Sequence, residues 1–163
     1  MTRLHVPVSL RWSDLDAYGH VNNVAMLTLL EEARIEVFWR HPVSAEDPSA
    51  PRWPTAVIDA GPGAETSTLV AAQEIEYLRP LVYRRTPVTI EMWIGRLGGA
   101  SLDISYEVRE APSGADGELF ARAVTTLVLV DSSTGAPRRI GPAERAAWEP
   151  YVEAPVELRR RRH

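Results

Sequence analysis

The chain contains no cysteine. That excludes disulfides, a thiol nucleophile and thiolate metal ligation. Lysine is missing too, since all 18 basic residues are arginine. A Schiff base, a lysine-bound pyridoxal phosphate and the lysine of a nucleotide phosphate loop are therefore excluded. Histidine is scarce: His5, His20, His41 and His163 lack the paired spacing of a metalloprotease helix, so no metal site is expected. No apolar run approaches the ~20 residues that a bilayer span requires. The opening MTRLHVPVSL has no apolar core of the secretory kind, and a cytoplasmic protein is expected. Positive charge is outweighed by 22 acidic residues, for a net charge of -4, which suits nucleic-acid phosphates poorly. Asp, Glu, His, Ser, Thr and Tyr remain as reactive groups.

What is present is ordinary globular material: 163 residues, 45% hydrophobic and 25% charged. This supports one domain with a substantial core. No internal repeat or change of composition divides it. We read residues 1–153 as a single domain and 154–163 as an Arg-rich C-terminal tail, whose end LRRRRH is expected to be solvated. Residues 4–12 alternate as a first strand, and 42–52 form a connecting loop. Thr55–Ala60 is a short strand candidate, and Val70–Arg79 is a longer one. Val88, Ile90, Met92 and Ile94 alternate with Thr89, Glu91 and Trp93, as a half-buried strand does. Gly98–Gly99 turns the chain into the alternating run Leu102–Val108, which makes a hairpin. Pro112–Gly117 is a second turn. Glu118–Asp131 is apolar on both sides, as an interior strand would be. Pro142–Trp148 is a short helix. One long helix among antiparallel strands is an α+β arrangement. Trp12 and Trp39 are expected in the core.

The stretch from Arg11 to Arg34, RWSDLDAYGHVNNVAMLTLLEEAR, organises the rest. Its first half has loop chemistry, with Ser, two Asp, Gly and two Asn close together. Its second half is a helix of roughly 23–40, with the Asn pair at the N-cap and Pro42 as the stop. Asp14, Asp16 and His20 thus lie in a loop feeding a helix N-terminus, where free N–H groups gather. A carboxylate beside such donors can attack, or direct water at, a carbonyl whose oxygen they hold. Both Asp residues also suit turns or caps, and Asp14 is the better structural candidate. On a helical wheel Val24, Leu27, Leu30, Ala33, Val37 and Phe38 share an apolar face. Glu31 and Arg34 fall on that face three residues apart. They are either a buried ion pair that fixes docking, or they place Glu31 in a pocket beside Asp16.

The run D-L-D-A-Y-G-H-V-N-N before a helix ending E-E-A-R resembles the hotdog-fold thioesterases of the 4-hydroxybenzoyl-CoA thioesterase superfamily. Y-L-R-P-L, G-G-A-S and V-T-T-L-V-L-V-D extend the likeness over nearly the whole chain, closest to the acyl-CoA and acyl-carrier-protein branch. The resemblance implies a sheet of five to six antiparallel strands around one long central helix. It implies hydrolysis of an acyl-CoA or acyl-carrier-protein thioester without a cofactor. Asp16 matches the family's nucleophile or general base, and Asn23 the helix-start residue whose N–H polarises the carbonyl. His20 and Asn22 match H-V-N of the plant-type carrier-protein enzymes, while Tyr18 stands where those have Asn. Tyr18, Gly19, Asn22 and Glu31 are then substrate-binding positions. Gly98, Gly99 and Ser101 match a hairpin that contacts nucleotide phosphates in the aryl-CoA branch, here without charge. A homodimer or homotetramer with sites at the subunit interface is implied.

Two other functions compete. A non-catalytic module that binds acyl thioesters or lipids would not need Asp16. A hotdog hydratase or dehydratase would carry a different loop motif. A thioester has a good leaving group, so one carboxylate and a preorganised oxyanion site, typically worth about 3–4 kcal/mol, can suffice.

Overall fold

The computed structural model describes residues 2–40, 49, 53–59, 61–110 and 117–159. Strands β1 (Leu4–Val8), β2 (Thr66–Tyr77), β3 (Val88–Leu97), β4 (Ser101–Arg109) and β5 (Leu119–Asp131) form one antiparallel sheet in the order β1-β3-β4-β5-β2. Among the described residues two α-helices accompany it, α1 (Asn23–Phe38) and the short α2 (Pro142–Trp148). The sheet therefore has five strands among the described residues, and α1 is not the only helix. The candidate strand Thr55–Ala60 does not form. Ile58 makes one isolated bridge to Trp39, and Ala60 lies outside the described residues, as do the tip of the second turn at 111–116 and the connecting loop apart from Ser49.

Helix α1 buries Met26, Leu29, Leu30, Ala33, Arg34, Val37 and Phe38. The apolar ones join Val6, Ile90, Met92, Ile104, Tyr106 and Leu127 of the sheet in one core. The buried face is rotated from the expected one: Met26 and Leu29 are inside, while Val24 is 66% exposed. The reason is that apolar side chains occur almost all round α1, so periodicity alone does not select which of them meets the sheet. The C-terminal end of α1 is fixed by Phe38, whose ring meets Trp148 of α2 edge-on at 6.0 Å. Trp148 in turn donates to the Thr55 carbonyl at 3.0 Å. The core tryptophans are Trp93 and Trp148. Trp39 is half-buried against the core, and Trp12 is 73% exposed despite stacking on Tyr83.

Strand β3 is buried on both faces over Val88–Ile94, where alternation predicts one wet face. A strap covers the other face. Glu153 donates its N–H to the Ile94 carbonyl at 3.0 Å, the indole of Trp93 donates to the Ala154 carbonyl at 2.8 Å, and Val156 N–H reaches Ser105 Oγ at 3.2 Å. Arg3 completes the cover. Its guanidinium lies 3.7 Å over the Trp93 ring and pairs with Glu91 and Glu107, each at 3.2 Å, and with Glu153 at 2.6 Å. Buried carboxylates need such partners, because an unpaired charge taken out of water is costly. A Cβ on Gly95 would sit 2.8 Å from Ser105 Oγ and 3.1 Å from Pro155, so the strap's close approach requires glycine there. The segment expected to start a free tail at 154 is thus bound to the sheet as far as Arg159, which pairs with Glu76 at 3.6 Å.

Strand β5 alternates buried and half-buried residues along its length. It lies inside the sheet between β4 and β2. Among the described residues strand β2 pairs only with β5 and is largely exposed, with Leu69, Val70 and Tyr77 all more than 40% accessible.

Candidate active site

The acidic loop is clamped at its base. Asp14 is buried. Its Oδ2 accepts the Arg11 amide at 2.7 Å and its Oδ1 accepts the Arg11 guanidinium at 3.0 Å. Its carbonyl accepts the Asn22 amide at 2.7 Å. Asp14 therefore braces the loop against the start of α1 and offers no free oxygen for chemistry. Val21 donates to the Leu81 carbonyl at 2.7 Å, and His20 bridges Val82, so the segment after β2 holds the loop from its other side.

Asp16 sits above this clamp, half-buried. Its Oδ1 accepts the amides of Tyr18 at 2.8 Å and His20 at 3.1 Å. Its own amide donates to the His20 carbonyl at 2.8 Å. This is an Asx-type turn, and the residue also orients its carboxylate through one oxygen. Among the described residues no donor reaches Oδ2, which remains for a water or a substrate carbon. Gly19 has φ 76°, the left-handed region, which an L side chain rarely adopts. That glycine is what lets the turn close. Tyr18 and Gly19 are exposed at its tip, and His20 is half-buried with no bond to its imidazole among the described residues.

Asn22 is the N-cap of α1. Its side-chain oxygen accepts the Val24 amide at 2.8 Å. The side chain is thereby used for capping. The backbone N–H of Asn23, first residue of the helix, has no acceptor among the described residues. It is one of the orphan donors that every helix start presents, at the positive end of the helix dipole. Within eight residues the loop and helix start thus carry a carboxylate held by one oxygen, a half-buried imidazole and an open N–H.

Sequence reasoning did not single out Tyr77. Its hydroxyl donates to the Asn23 carbonyl at 2.7 Å, and burial pushes its phenol above the usual tyrosine range. The only signal was its place in Y-L-R-P-L, and the contact itself spans 54 positions.

Glu31 does not enter the core. Its side chain is 58% exposed and meets the buried Arg34 at 3.5 Å. Arg34 donates to Tyr106 Oη at 3.1 Å, while its Nε is buried without a partner among the described residues. The pair is therefore half a buried one: the cation is inside and the carboxylate is at the surface, beside the exposed Val24 and Ile35.

The hairpin Gly98–Ser101 lies at the other end of the sheet. Val88, Arg109, Leu119 and Tyr77 occupy the end that holds the acidic loop. The hairpin follows β3, ten residues further along, a distance of ~30 Å. One chain does not bring Gly98, Gly99 or Ser101 to Asp16. Nor is the hairpin free of charge in space. Arg145 of α2 donates to the Gly98 carbonyl at 2.8 Å, and Arg96 donates to Ser101 Oγ at 3.3 Å.

Among the described residues no group of three His, Asp or Glu is placed to hold a metal ion. No helix there is long and apolar enough to cross a membrane.

Comparison with known proteins matches residues 10–156 to the family model of the thioesterase-like superfamily. The chain is 29% identical over 131 residues to the long-chain acyl-CoA thioesterase FadM of Escherichia coli, covering 80% of this chain and 86% of that protein. A predicted thioesterase from Bacillus stearothermophilus superposes with a TM-score of 0.70 at 24% identity, covering 95% of this chain and 100% of that one. A thioesterase from Thermus thermophilus, solved in complex with coenzyme A and Zn, gives a TM-score of 0.64 at 28% identity, with 90% and 92% coverage.

Proposed function

We propose that this chain, which belongs to the thioesterase-like superfamily, hydrolyses an acyl-CoA thioester to a free acid and coenzyme A. The observation that carries this reading is the placement of Asp16. Its Oδ1 is tied to two loop amides while Oδ2 has no donor among the described residues, in the loop that leads into the open N–H of Asn23. With the thioester carbonyl oxygen on that N–H, the carbonyl carbon faces the acidic loop. Asp16 takes a proton from a water as the water oxygen attacks. The C–S bond then breaks, and the thiolate leaves and is protonated. Attack by Oδ2 itself gives an acyl-aspartyl anhydride, which water hydrolyses to the same products. Oxyanion stabilisation by one donor is typically worth about 3–4 kcal/mol, and a positioned base contributes about 10²–10⁴-fold.

Coenzyme A as the carrier is supported by the complex of the Thermus protein and by the activity in the name of FadM. An acyl-carrier protein in its place would be revealed by turnover of that substrate alone.

The working unit in this reading is a homodimer joined along β2. Among the described residues the outer edge of that strand is unpaired, and the strand carries exposed Leu69 and Val70. Unpaired edges seek partners. A twofold antiparallel pairing there sets the partner's hairpin end beside this chain's acidic loop. That arrangement lets Gly98, Gly99 and Ser101 of one chain serve Asp16 of the other, and lets Glu31 line the shared cleft.

The test is thiol release from a panel of acyl-CoAs graded by chain length and aromaticity, read with a chromogenic thiol reagent. The cysteine-free protein gives no background. Saturable binding without thiol release across the panel would instead indicate a binding module.

A further inference from the structure

The start of α1 is held from three directions. Asn22 caps it from its own side chain, the Asp14 carbonyl holds it from the loop, and the Tyr77 hydroxyl holds it from the sheet. The third contact differs in kind. It is the bond that ties the helix start to the edge strand β2, and it comes from a side chain that no motif assigns to chemistry.

The Asn23 carbonyl already lies in the first turn of a helix, where it accepts from the N–H four residues on. A second donor, the Tyr77 phenol at 2.7 Å, fixes the tilt of that residue. First turns fray readily. Yet an oxyanion donor must hold its place within about 0.5 Å to be effective. Asn23 offers its carbonyl to Tyr77 and its N–H to the site. The two groups lie in adjacent peptide planes that meet at the Asn23 Cα, so holding the carbonyl restrains the N–H through that residue's helical backbone angles. A tyrosine phenol is protonated through the neutral range and can donate there, and burial pushes this one further in the same direction.

On the thioesterase reading above, we propose that Tyr77 is a positioning residue, whose bond to the Asn23 carbonyl aims the Asn23 N–H at the thioester oxygen as negative charge develops there. Tyr77 touches no reacting atom. Its contribution is to the geometry of the donor, so it is felt in the transition state more than in the bound substrate.

Tyr77→Phe tests this, since it removes one oxygen and keeps the ring. With acyl-CoA as substrate, kcat should fall about tenfold or more while KM changes by less than about threefold, because misplacement of an oxyanion donor costs transition-state binding alone. A trifluoromethyl ketone analogue of the thioester, whose adduct carries the oxyanion, should bind more weakly by the same factor. A second variant guards against a folding effect. A polyfluorinated tyrosine at position 77, with a phenol that ionises near neutral pH, keeps the bond at low pH and loses it as pH rises. Its kcat should show a new alkaline limb that the unmodified protein lacks. An active protein in which Tyr77→Phe leaves kcat unchanged, or in which the fluorinated form shows no such limb, overturns the role of Tyr77 and leaves the thioesterase reading standing. An unmodified protein that releases no thiol from any acyl-CoA overturns both.

Discussion

The carbonyl of Asp14 accepts the amide of Asn22 at 2.7 Å. That bond joins the base of the acidic loop to the helix cap, and everything between the two residues is held as one excursion. Asp16 lies on that excursion, and Asn23 follows directly after its closing residue. Asp14 is buried as the brace and Asp16 is half-buried above it, with the role of reagent proposed for Asp16 alone, two positions away.

Asp16→Asn should abolish most turnover without unfolding the protein. The amide oxygen can still accept from Tyr18 and His20, so the turn survives. On the proposed mechanism the lost charge removes the base, and a positioned base contributes about a hundredfold or more. Thiol release and a thermal melt, measured on the same preparation, decide the matter. Near-normal release from a folded variant would sink the mechanism.

Asn22→Ala removes the cap from Val24 N–H and should cost about 1 kcal/mol of stability. If the helix start also positions the oxyanion donor, kcat should drop further than this small loss implies. Chemical denaturation and steady-state kinetics separate the two effects. A variant as stable and as fast as the parent would show that the cap serves neither.

Val70→Arg places a charge on the unpaired edge of β2, at a position 47% exposed in the single chain. It should not disturb the fold of one chain, yet it should break a dimer built on that edge. Light scattering at micromolar concentration should report a dimer for the parent and a monomer for the variant, with activity lost in the variant. A fully active monomeric parent would contradict the shared site.

The nucleotide half of the substrate should matter little. The hairpin residues carry no charge, and the nearby guanidinium groups are already engaged, Arg96 by Asp103 at 2.7 Å and Arg145 by the Gly98 carbonyl. Arg96 in turn holds the Asp103 carboxyl below its ordinary range. An acyl-pantetheine should therefore retain kcat/KM within about tenfold of the acyl-CoA, with weak dependence on salt. A loss of several hundredfold with steep salt dependence would mean that arginines clamp the phosphates.

Acid should loosen the strap. The hydrogen bond from Arg3 holds the Glu153 carboxyl below its usual value. A carboxylate with a lowered folded-state pKa stabilises the fold above its unfolded value, about 4.3 for Glu. That stabilisation is lost as pH falls through the lower folded value. Glu153→Gln should accordingly melt lower than the parent at pH 7, and the difference should shrink toward pH 3. A constant difference across that range would show that Arg3 and Glu153 are not coupled.

Much of this protein is local, and that part was legible in the sequence. The two Asp, Gly19 and the Asn pair specify a turn that feeds a capped helix, because turn and cap bonds join residues two to four positions apart. Gly98–Gly99 between alternating runs specifies the β3–β4 hairpin for the same reason. Residues far apart in the chain were beyond it. The face that α1 buries depended on contact with the sheet, since apolar side chains surround most of the helix. Glu91 and Trp93 look like a wet face until Arg3 and the strap, some 60 positions away for Trp93 and Ala154, cover them. Tyr77 reaches Asn23, and the hairpin stands away from Asp16, because antiparallel registry fixes which ends of the strands meet. Local sequence wrote the chemistry of the acidic loop; tertiary packing decided what surrounds it.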